Sequence, residues 1–260
     1  MPLDVAATRA SIVAEIRAAK PPASSFDPKS YLGSPIPVLG LSVPQLRAIL
    51  SKFSRDHRDL RADEVNALAA AMWSGGSFEE KTFAMSLLGR YRRMLDDASW
   101  SLADRWADEV SGWGLCDTLG MGPVASMVYD RPARFRDLLR WARSENPWRR
   151  RVAAYGLRDL VYAKDCDRPL RLLERLLYDE EFWVQRAVGT WLRECWKRDR
   201  RRTEAFLRKH VRGLPPVVIT VATERAPKSF REELRRKSGV RGRARRSRAG
   251  PPARRRRRRA

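Results

Sequence analysis

The chain has 260 residues, 43% of them hydrophobic, so it is long enough for one large domain or a repeat array with a substantial core. Its net charge is +23, with 14 charges on residues 235–260 and the remaining +9 on residues 1–234. A basic body favours a polyanionic partner, and the alternative is that the tail alone binds nucleic acid. Three cysteines and two histidines, far apart and without CxxC or HxxxH spacing, argue against a zinc site or a disulfide framework. No apolar run approaches the roughly 20 residues of a membrane span, so we expect a cytoplasmic protein.

The N-terminal part predicts two helices separated by a connection. The first covers residues 4–19, and prolines from Pro21 to Pro28 end it. Residues 31–40 form a connection rich in proline and glycine. The next helix begins at Ser42–Pro44, because a proline in the first helical turn loses no hydrogen bond. Its apolar face comprises Leu46, Ile49, Leu50 and Phe53.

From about residue 61 the chain predicts helix pairs that repeat every 35 residues. The second helices are predicted to start near residues 77, 112, 147 and 181. Stacked helix pairs of this length form an α-solenoid, so the predicted fold class is all-α. Four aromatic residues recur at the same step in the second helices: Phe78, Trp113, Trp148 and Trp183. Three positions of the first helices are apolar in all four repeats: 65/100/135/170, 68/103/138/173 and 72/107/142/177.

The C-terminal part predicts an irregular final helical pair and a tail. Residues 217–221 are β-branched, but two prolines precede them and no stretch alternates with a period of two, so we expect a helix there. A last short helix is predicted from Lys228 to about Lys237. The chain beyond has no apolar periodicity, so we expect a repeat domain over residues 1–237 and a disordered Arg-rich tail over residues 238–260.

Asp117 interrupts a column that the other repeats use for packing. Equivalent positions hold Thr82, Val152 and Ala187, whereas Asp117 is a carboxylate on the same helix face as Trp113, four residues earlier. A buried carboxylate needs a cation, a donor or a solvated cleft. The sequence predicts either a catalytic carboxylate or a structural Asp that pairs with Arg151 or caps a helix.

The positions one residue before Asp117 and its equivalents predict a strip of positive charge along the second helices. Equivalent positions align on one surface of a solenoid, and regularly spaced cations suit a nucleic-acid backbone. The alternative is an ordinary solvated helix face. The strip consists of Lys81, Arg151 and Arg186, extended by Arg149 and Arg150.

The tryptophans divide into packing and candidate binding residues. Trp148 and Trp183 are most simply packing between repeats. Trp113 shares its face with Asp117, and an indole there could hold a cationic base by stacking and cation–π attraction. Trp191 is placed near the same groove, one repeat away.

Several segments resemble one known family. The sequence over roughly residues 5–237 is similar to the AlkD-type DNA alkylation repair family, which are HEAT-like alkylpurine DNA glycosylases. The matching segments are Tyr31-Leu, Val38-Leu-Gly40-Leu-Ser-Val-Pro44-x-x-Arg47, Trp73, Phe78-Glu79-Glu80, Gly112-Trp113-x-x-x-Asp117, Trp148-x-x-Arg151-x-Ala153, Glu181-Phe-Trp-Val-Gln-Arg-Ala187 and Leu192-Arg-Glu194.

The resemblance implies a HEAT-like solenoid, curved around a basic concave groove, and a role for each matching residue. Asp117 matches the family's catalytic Asp, Trp113 its first active-site Trp, and Arg151 its groove Arg. This chain departs from the family at two positions. Gly114 replaces an Asp, and the family's second active-site Trp aligns with Thr190, with Trp191 one residue later. Since one residue turns a helical side chain by about 100°, either Trp191 reaches the site through a local shift or one aromatic wall is absent.

The resemblance implies a monofunctional glycosylase that removes cationic N3- or N7-alkylpurines from duplex DNA in base excision repair. Such a base leaves without a general acid, so a single carboxylate that stabilises an oxocarbenium-like sugar is enough. No metal or cofactor is expected, and the protein is expected to be a nucleoid-associated monomer. The alternatives are a DNA-binding member of the family without excision activity and a helical-repeat scaffold.

Overall fold

The computed structural model describes residues 2–22 and 27–239, and these residues are helical with no strand. A 3₁₀ turn covers Arg92–Met94, another Pro132–Arg134, and a π turn covers Gly120–Val124. Residues 240–260 lie outside the described part, and so does nearly all of the predicted tail. The helices are α1 Val5–Ala18, α2 Pro28–Leu32, α3 Val43–Asp56, α4 Ala62–Trp73, α5 Phe78–Arg90, α6 Asp97–Glu109, α7 Trp113–Leu119, α8 Ala125–Asp130, α9 Phe135–Trp141, α10 Pro147–Tyr155, α11 Arg158–Tyr162, α12 Asp167–Leu176, α13 Phe182–Arg198, α14 Arg200–Lys209, α15 Pro216–Ala222 and α16 Lys228–Ser238.

Capping residues set the starts of several helices. Ser42 accepts from the amide of Gln45 at the start of α3, and the Gln45 side chain accepts from the Ser42 amide at 2.9 Å. Asn146 accepts from the amide of Trp148 at 3.0 Å and begins α10 ahead of a first-turn proline. Pro28 is a correction to the sequence prediction. It begins the short helix α2 after an Asp27 cap, so it does not simply end α1.

Helices α4 and α5, α6 and α7, α9 and α10, and α12 and α13 form the four predicted pairs. Their second helices start at residues 78, 113, 147 and 182, at steps of 35, 34 and 35. Eleven of the twelve predicted apolar positions in the first helices are buried and Trp100 is half-buried, so these columns form the core. The helices predicted near residues 217–221 and from Lys228 are present as α15 and α16. The curvature of the array remains a prediction.

The short helix α7 lies unusually close to α10. It is followed directly by the π turn, which contains Pro123 and ends the regular helix. A Cβ atom at Gly120 would lie 2.4 Å from the Cβ atom of Tyr155, so only glycine permits this approach. The contact brings Asp117 on α7 opposite Arg151 on α10. No helix in the described ranges is both long and apolar enough to cross a membrane.

Candidate functional site

The carboxylate of Asp117 and the guanidinium of Arg151 form a two-pronged buried ion pair. Arg151 Nε donates to Asp117 Oδ1 at 2.7 Å, and Arg151 Nη2 donates to Oδ2 at 2.9 Å. The Asp117 side chain is 12% exposed and that of Arg151 is 4% exposed. The ion pair with Arg151, which the structural interpretation of Asp117 predicts, is therefore present. A small part of the Asp117 side chain still reaches solvent.

Tyr155 connects this ion pair to the neighbouring helix α13. Its hydroxyl accepts from Arg151 Nη2 at 3.1 Å and lies near enough to Asp117 and Thr190 for both to affect its pKa. Burial and the negative charge of Asp117 raise the pKa of Tyr155, so its hydroxyl stays protonated. The site is a polar cluster of Asp117, Arg151, Tyr155 and Thr190.

The protonation of Asp117 reflects two opposing effects. Burial raises the pKa of Asp117, because a charged carboxylate loses its hydration. The charge and hydrogen bonds of Arg151, with the Tyr155 hydroxyl, lower it and offset part of the rise. Arg151 occupies two of the roughly four acceptor sites of the carboxylate, so acceptor capacity remains.

Trp113 is fixed at the start of α7 by the end of α2. Its Nε1 donates to the backbone carbonyl of Tyr31 at 2.6 Å, and the two rings meet edge to face at 5.0 Å. Trp113 is half-buried and lies one helical turn before Asp117. The indole therefore has a set orientation and an exposed portion one helical turn from Asp117.

Two aromatic rings enclose the guanidinium of Arg151. Its central carbon lies 4.8 Å from the ring centre of Tyr155 and 5.7 Å from that of Trp183. Its Nη1 also donates to the backbone carbonyl of Trp183. Trp183 is 36% exposed, whereas Trp148 is packed against the core, so the packing role predicted for both residues describes Trp148 better.

Trp191 does not reach the open side of the site. It is 2% exposed and packs edge to face against Tyr155, with ring centres 5.7 Å apart. Its indole nitrogen is buried and has no hydrogen-bond partner among the described residues. Thr190 is half-buried and near enough to Tyr155 to affect its pKa, so Thr190 is the residue of the two that faces the site. Of the two alternatives raised by the sequence, the geometry favours the absence of one aromatic wall.

The predicted positive strip is not assembled as a continuous surface. Arg149 pairs with Asp104 and Asp108, and Arg150 pairs with Asp179 at 2.6 Å, because consecutive helical residues point about 100° apart. Lys81 donates to the carbonyl of Trp73 at 2.7 Å, and burial lowers the pKa of Lys81. Arg186 is the member of the strip that is exposed and has no ion pair within the described ranges.

Comparison with protein-family models identifies one family. The sequence over residues 12–226 matches the model of the DNA alkylation repair enzyme family. The chain belongs to this family. No curated protein matches the sequence significantly.

Solved structures of similar fold come from two bacteria. A predicted DNA alkylation repair enzyme from Enterococcus faecalis has 18% identity and a TM-score of 0.67, with 77% of this chain and 93% of that chain covered. AlkD2 from Streptococcus mutans has 14% identity and a TM-score of 0.63, with 85% and 98% covered. At these identities the likeness supports the fold alone, and the fold is an AlkD-like array of helices.

The structure explains one of this chain's departures within the DNA alkylation repair family. A Cβ atom at Gly114 would lie 2.8 Å from Leu32 Cδ2 and 3.1 Å from Phe78 Cζ. The end of α2 and the start of α5 therefore pack where another side chain would project. The same packing places Tyr31 against Trp113. Glycine at position 114 therefore permits the packing that orients the indole.

Sequence reasoning missed three residues that contact the site: Tyr155, Trp183 and Thr190. Tyr155 follows Arg151 by four residues, and this spacing is a signal for a shared helix face. Trp183 was available from its aromatic column but was interpreted as packing. Thr190 is identified from its alignment alone, while its closeness to Tyr155 depends on how α10 and α13 pack and leaves no mark in the sequence.

A cleft of about 480 Å³ runs beside α7 between α3, α5 and α11. Its wall includes Thr118, the residue after Asp117, and two arginines, Arg47 and Arg158. Arg47 is exposed and has no ion pair in the described part of the chain. Sequence reasoning matched Arg47 to a family motif without giving it a role. Across residues 2–22 and 27–239, no three His, Cys, Asp or Glu side chains are grouped to hold a metal ion.

Proposed function

We propose that this DNA alkylation repair protein is a glycosylase that hydrolyses the N-glycosidic bond of cationic N3- or N7-alkylpurines in duplex DNA. The observation that carries the proposal is the position of Asp117. It is one carboxylate, nearly buried, and it lies one helical turn after Trp113, whose indole is fixed and half-exposed. No second acid is required, because an alkylated purine already carries the positive charge that makes it a good leaving group.

The residues suggest a division of roles. As the base leaves, positive charge develops on the sugar, and the Asp117 carboxylate stabilises it. An acceptor site on Asp117 that Arg151 leaves free holds the attacking water. The exposed portion of Trp113 contacts the cationic base through its π face. Arg151 positions Asp117 and keeps it charged, and no step requires a metal or a cofactor.

Binding of DNA is assigned to exposed cations that are not already paired. Arg47 at the cleft and Arg186 on α13 are suited to contact phosphates. Arg149, Arg150 and Lys81 have intramolecular partners and are expected to contribute less. The Arg-rich residues 240–260 add affinity without sequence preference. A monomer on duplex DNA is the expected assembly.

The test is release of free 7-methylguanine and 3-methyladenine from methylated duplex DNA. The native protein is compared with Asp117→Asn, with spontaneous depurination as the baseline. We expect release by the native protein and baseline release by the variant, with DNA binding retained. Equal release by both proteins would remove Asp117 from the mechanism.

A folding control is needed, because Asp117→Asn leaves Arg151 buried without its carboxylate. Trp113→Phe is the second variant, since it keeps the ion pair and removes the larger indole with its bond to Tyr31. We expect release to fall at least about tenfold with circular dichroism unchanged. Full release by this variant would remove Trp113 from lesion contact.

The second candidate is a DNA-binding member of the family that does not excise bases. Two observations favour it: position 190 lacks an aromatic side chain, and Trp191 is buried behind Tyr155. This alternative predicts baseline release by the native protein together with binding of alkylated duplex. In that case Thr190→Trp is the informative variant, since a gain of release would identify the absent wall as the cause.

A further inference from the structure

Five arginines surround a cavity of about 630 Å³ between α9, the start of α10 and α12. We call it the arginine cavity, and its arginines are Arg136, Arg140, Arg143, Arg149 and Arg175. It lies across α10 from the Asp117 site. Arg149 lines the cavity whereas Arg151 pairs with Asp117, and two residues along a helix are turned by about 200°.

The arginines of the cavity are only partly neutralised. Arg149 pairs with Asp104 and Asp108, and Arg140 lies 3.2 Å from Asp137 and 3.7 Å from Asp104. Five arginines against three aspartates leave two positive charges. The three exposed arginines without an ion pair in the described ranges are Arg136, Arg143 and Arg175.

This arrangement is unfavourable for the protein alone. Arg136, Arg140 and Arg143 follow one another at steps of four and three, so they share one face of α9 and its following turn. Like charges at this spacing repel, and Arg136 lies in the first turn of α9, where the helix dipole also disfavours a cation. An anion held between these side chains would relieve both effects.

We propose that the arginine cavity binds a doubly charged phosphate group or two adjacent phosphates. Guanidinium groups bind phosphate oxygens through paired hydrogen bonds, and the excess of two positive charges matches two negative ones. The volume lies within the range of small-ligand sites. A free phosphate compound and the backbone of a second DNA segment offer the same chemistry. The inference does not rest on the proposed glycosylase activity.

The test measures binding of inorganic pyrophosphate to the full chain by isothermal titration calorimetry. The cavity variant is Arg136→Ala with Arg175→Ala. The matched control is Arg17→Ala with Arg201→Ala, which also removes two exposed arginines without ion pairs. We expect affinity at least about tenfold weaker in the cavity variant and within about twofold of wild type in the control. The C-terminal arginines are present in all three proteins, so their contribution cancels.

Unchanged affinity in the cavity variant, or an equal loss in the control, would overturn the proposal. A second measurement tests whether the phosphate belongs to DNA or to a free compound. It counts the 16-base-pair duplexes bound per protein by analytical ultracentrifugation. Loss of one bound duplex in the cavity variant alone identifies DNA as the source, and equal stoichiometry identifies a free phosphate compound. Excision of 7-methylguanine by the cavity variant is expected at the wild-type rate, so failure of either proposal is distinguishable from failure of the other.

Discussion

Replacement of Arg151 by Met is expected to reveal how strongly the buried ion pair stabilises the fold. The change removes two charge-assisted hydrogen bonds to Asp117 and leaves the carboxylate nearly buried without a cation. It also leaves the Trp183 carbonyl without its donor. Breaking such a pair typically destabilises a protein by about 3–5 kcal/mol at neutral pH.

The loss is expected to depend on pH in a defined direction. Burial raises the pKa of Asp117 in the folded state, so this group favours folding most below its unfolded pKa and progressively less as the pH rises through the folded value. Arg151→Met removes a cation that lowers this pKa, which moves the folded value further up. The deficit of the variant relative to wild type therefore shrinks on acidification, by about 1.4 kcal/mol for each pH unit between the folded Asp117 pKa of the variant and the lower one of the wild type.

The assay is urea unfolding followed by circular dichroism at pH 5 and pH 8. The control is Arg186→Met, one repeat away at the equivalent position, because Arg186 is exposed and without an ion pair in the described chain. It is expected to change stability by about 0.5 kcal/mol or less at both pH values. Adding Asp117→Asn to Arg151→Met should recover most of the loss. A deficit no larger than that of the control, or one that stays constant between pH 5 and pH 8, would refute the reasoning.

Three further predictions concern the site and the DNA contacts. Tyr155→Phe removes the hydroxyl that accepts from Arg151 Nη2, and we expect a loss of about 1–3 kcal/mol in urea unfolding because the buried guanidinium loses a hydrogen bond. Arg47→Ala is expected to lower the slope of log affinity against log salt by about 1 in fluorescence anisotropy with duplex DNA, while Arg105→Ala on α6 leaves the slope unchanged. Truncation after Gly239 is expected to retain DNA binding at low salt, and it keeps Ser238, whose carbonyl accepts from the Gly213 amide at 3.0 Å.

The helices could be predicted from the sequence because their signals are local. The helix predicted over residues 4–19 is observed as Val5–Ala18, and the one predicted from Lys228 to about Lys237 ends at Ser238. Caps, prolines and apolar spacing act within a few residues of one another, so each is visible in a short window. The segment before Tyr31 was predicted less well, since an Asp cap followed by proline can begin a helix of one turn as readily as a loop.

The sequence also predicts that Asp117 differs from its equivalents in the other repeats. It does not predict which acids the neighbouring arginines pair with. Periodicity aligns columns along the array, and Arg151 does meet Asp117 as the alternative interpretation expected. Periodicity does not predict which acids lie close to these arginines. Arg149 and Arg150 meet Asp104, Asp108 and Asp179, and these pairs depend on the packing of α6, α10 and the end of α12.

The structural and catalytic interpretations of Asp117 are compatible. Catalysis needs a charged carboxylate, and the structural ion pair with Arg151 favours that charge. A carboxylate must be charged to stabilise a developing positive charge, and burial alone raises its pKa toward the neutral form. Arg151 counteracts that effect from the buried side, where its guanidinium is enclosed by Tyr155 and Trp183 and is itself 4% exposed. The side chain of Asp117 stays 12% exposed, and Trp113 lies one helical turn away on α7. An arginine that pairs with the carboxylate on its buried side therefore favours the anionic form of Asp117 and leaves part of the side chain open to solvent.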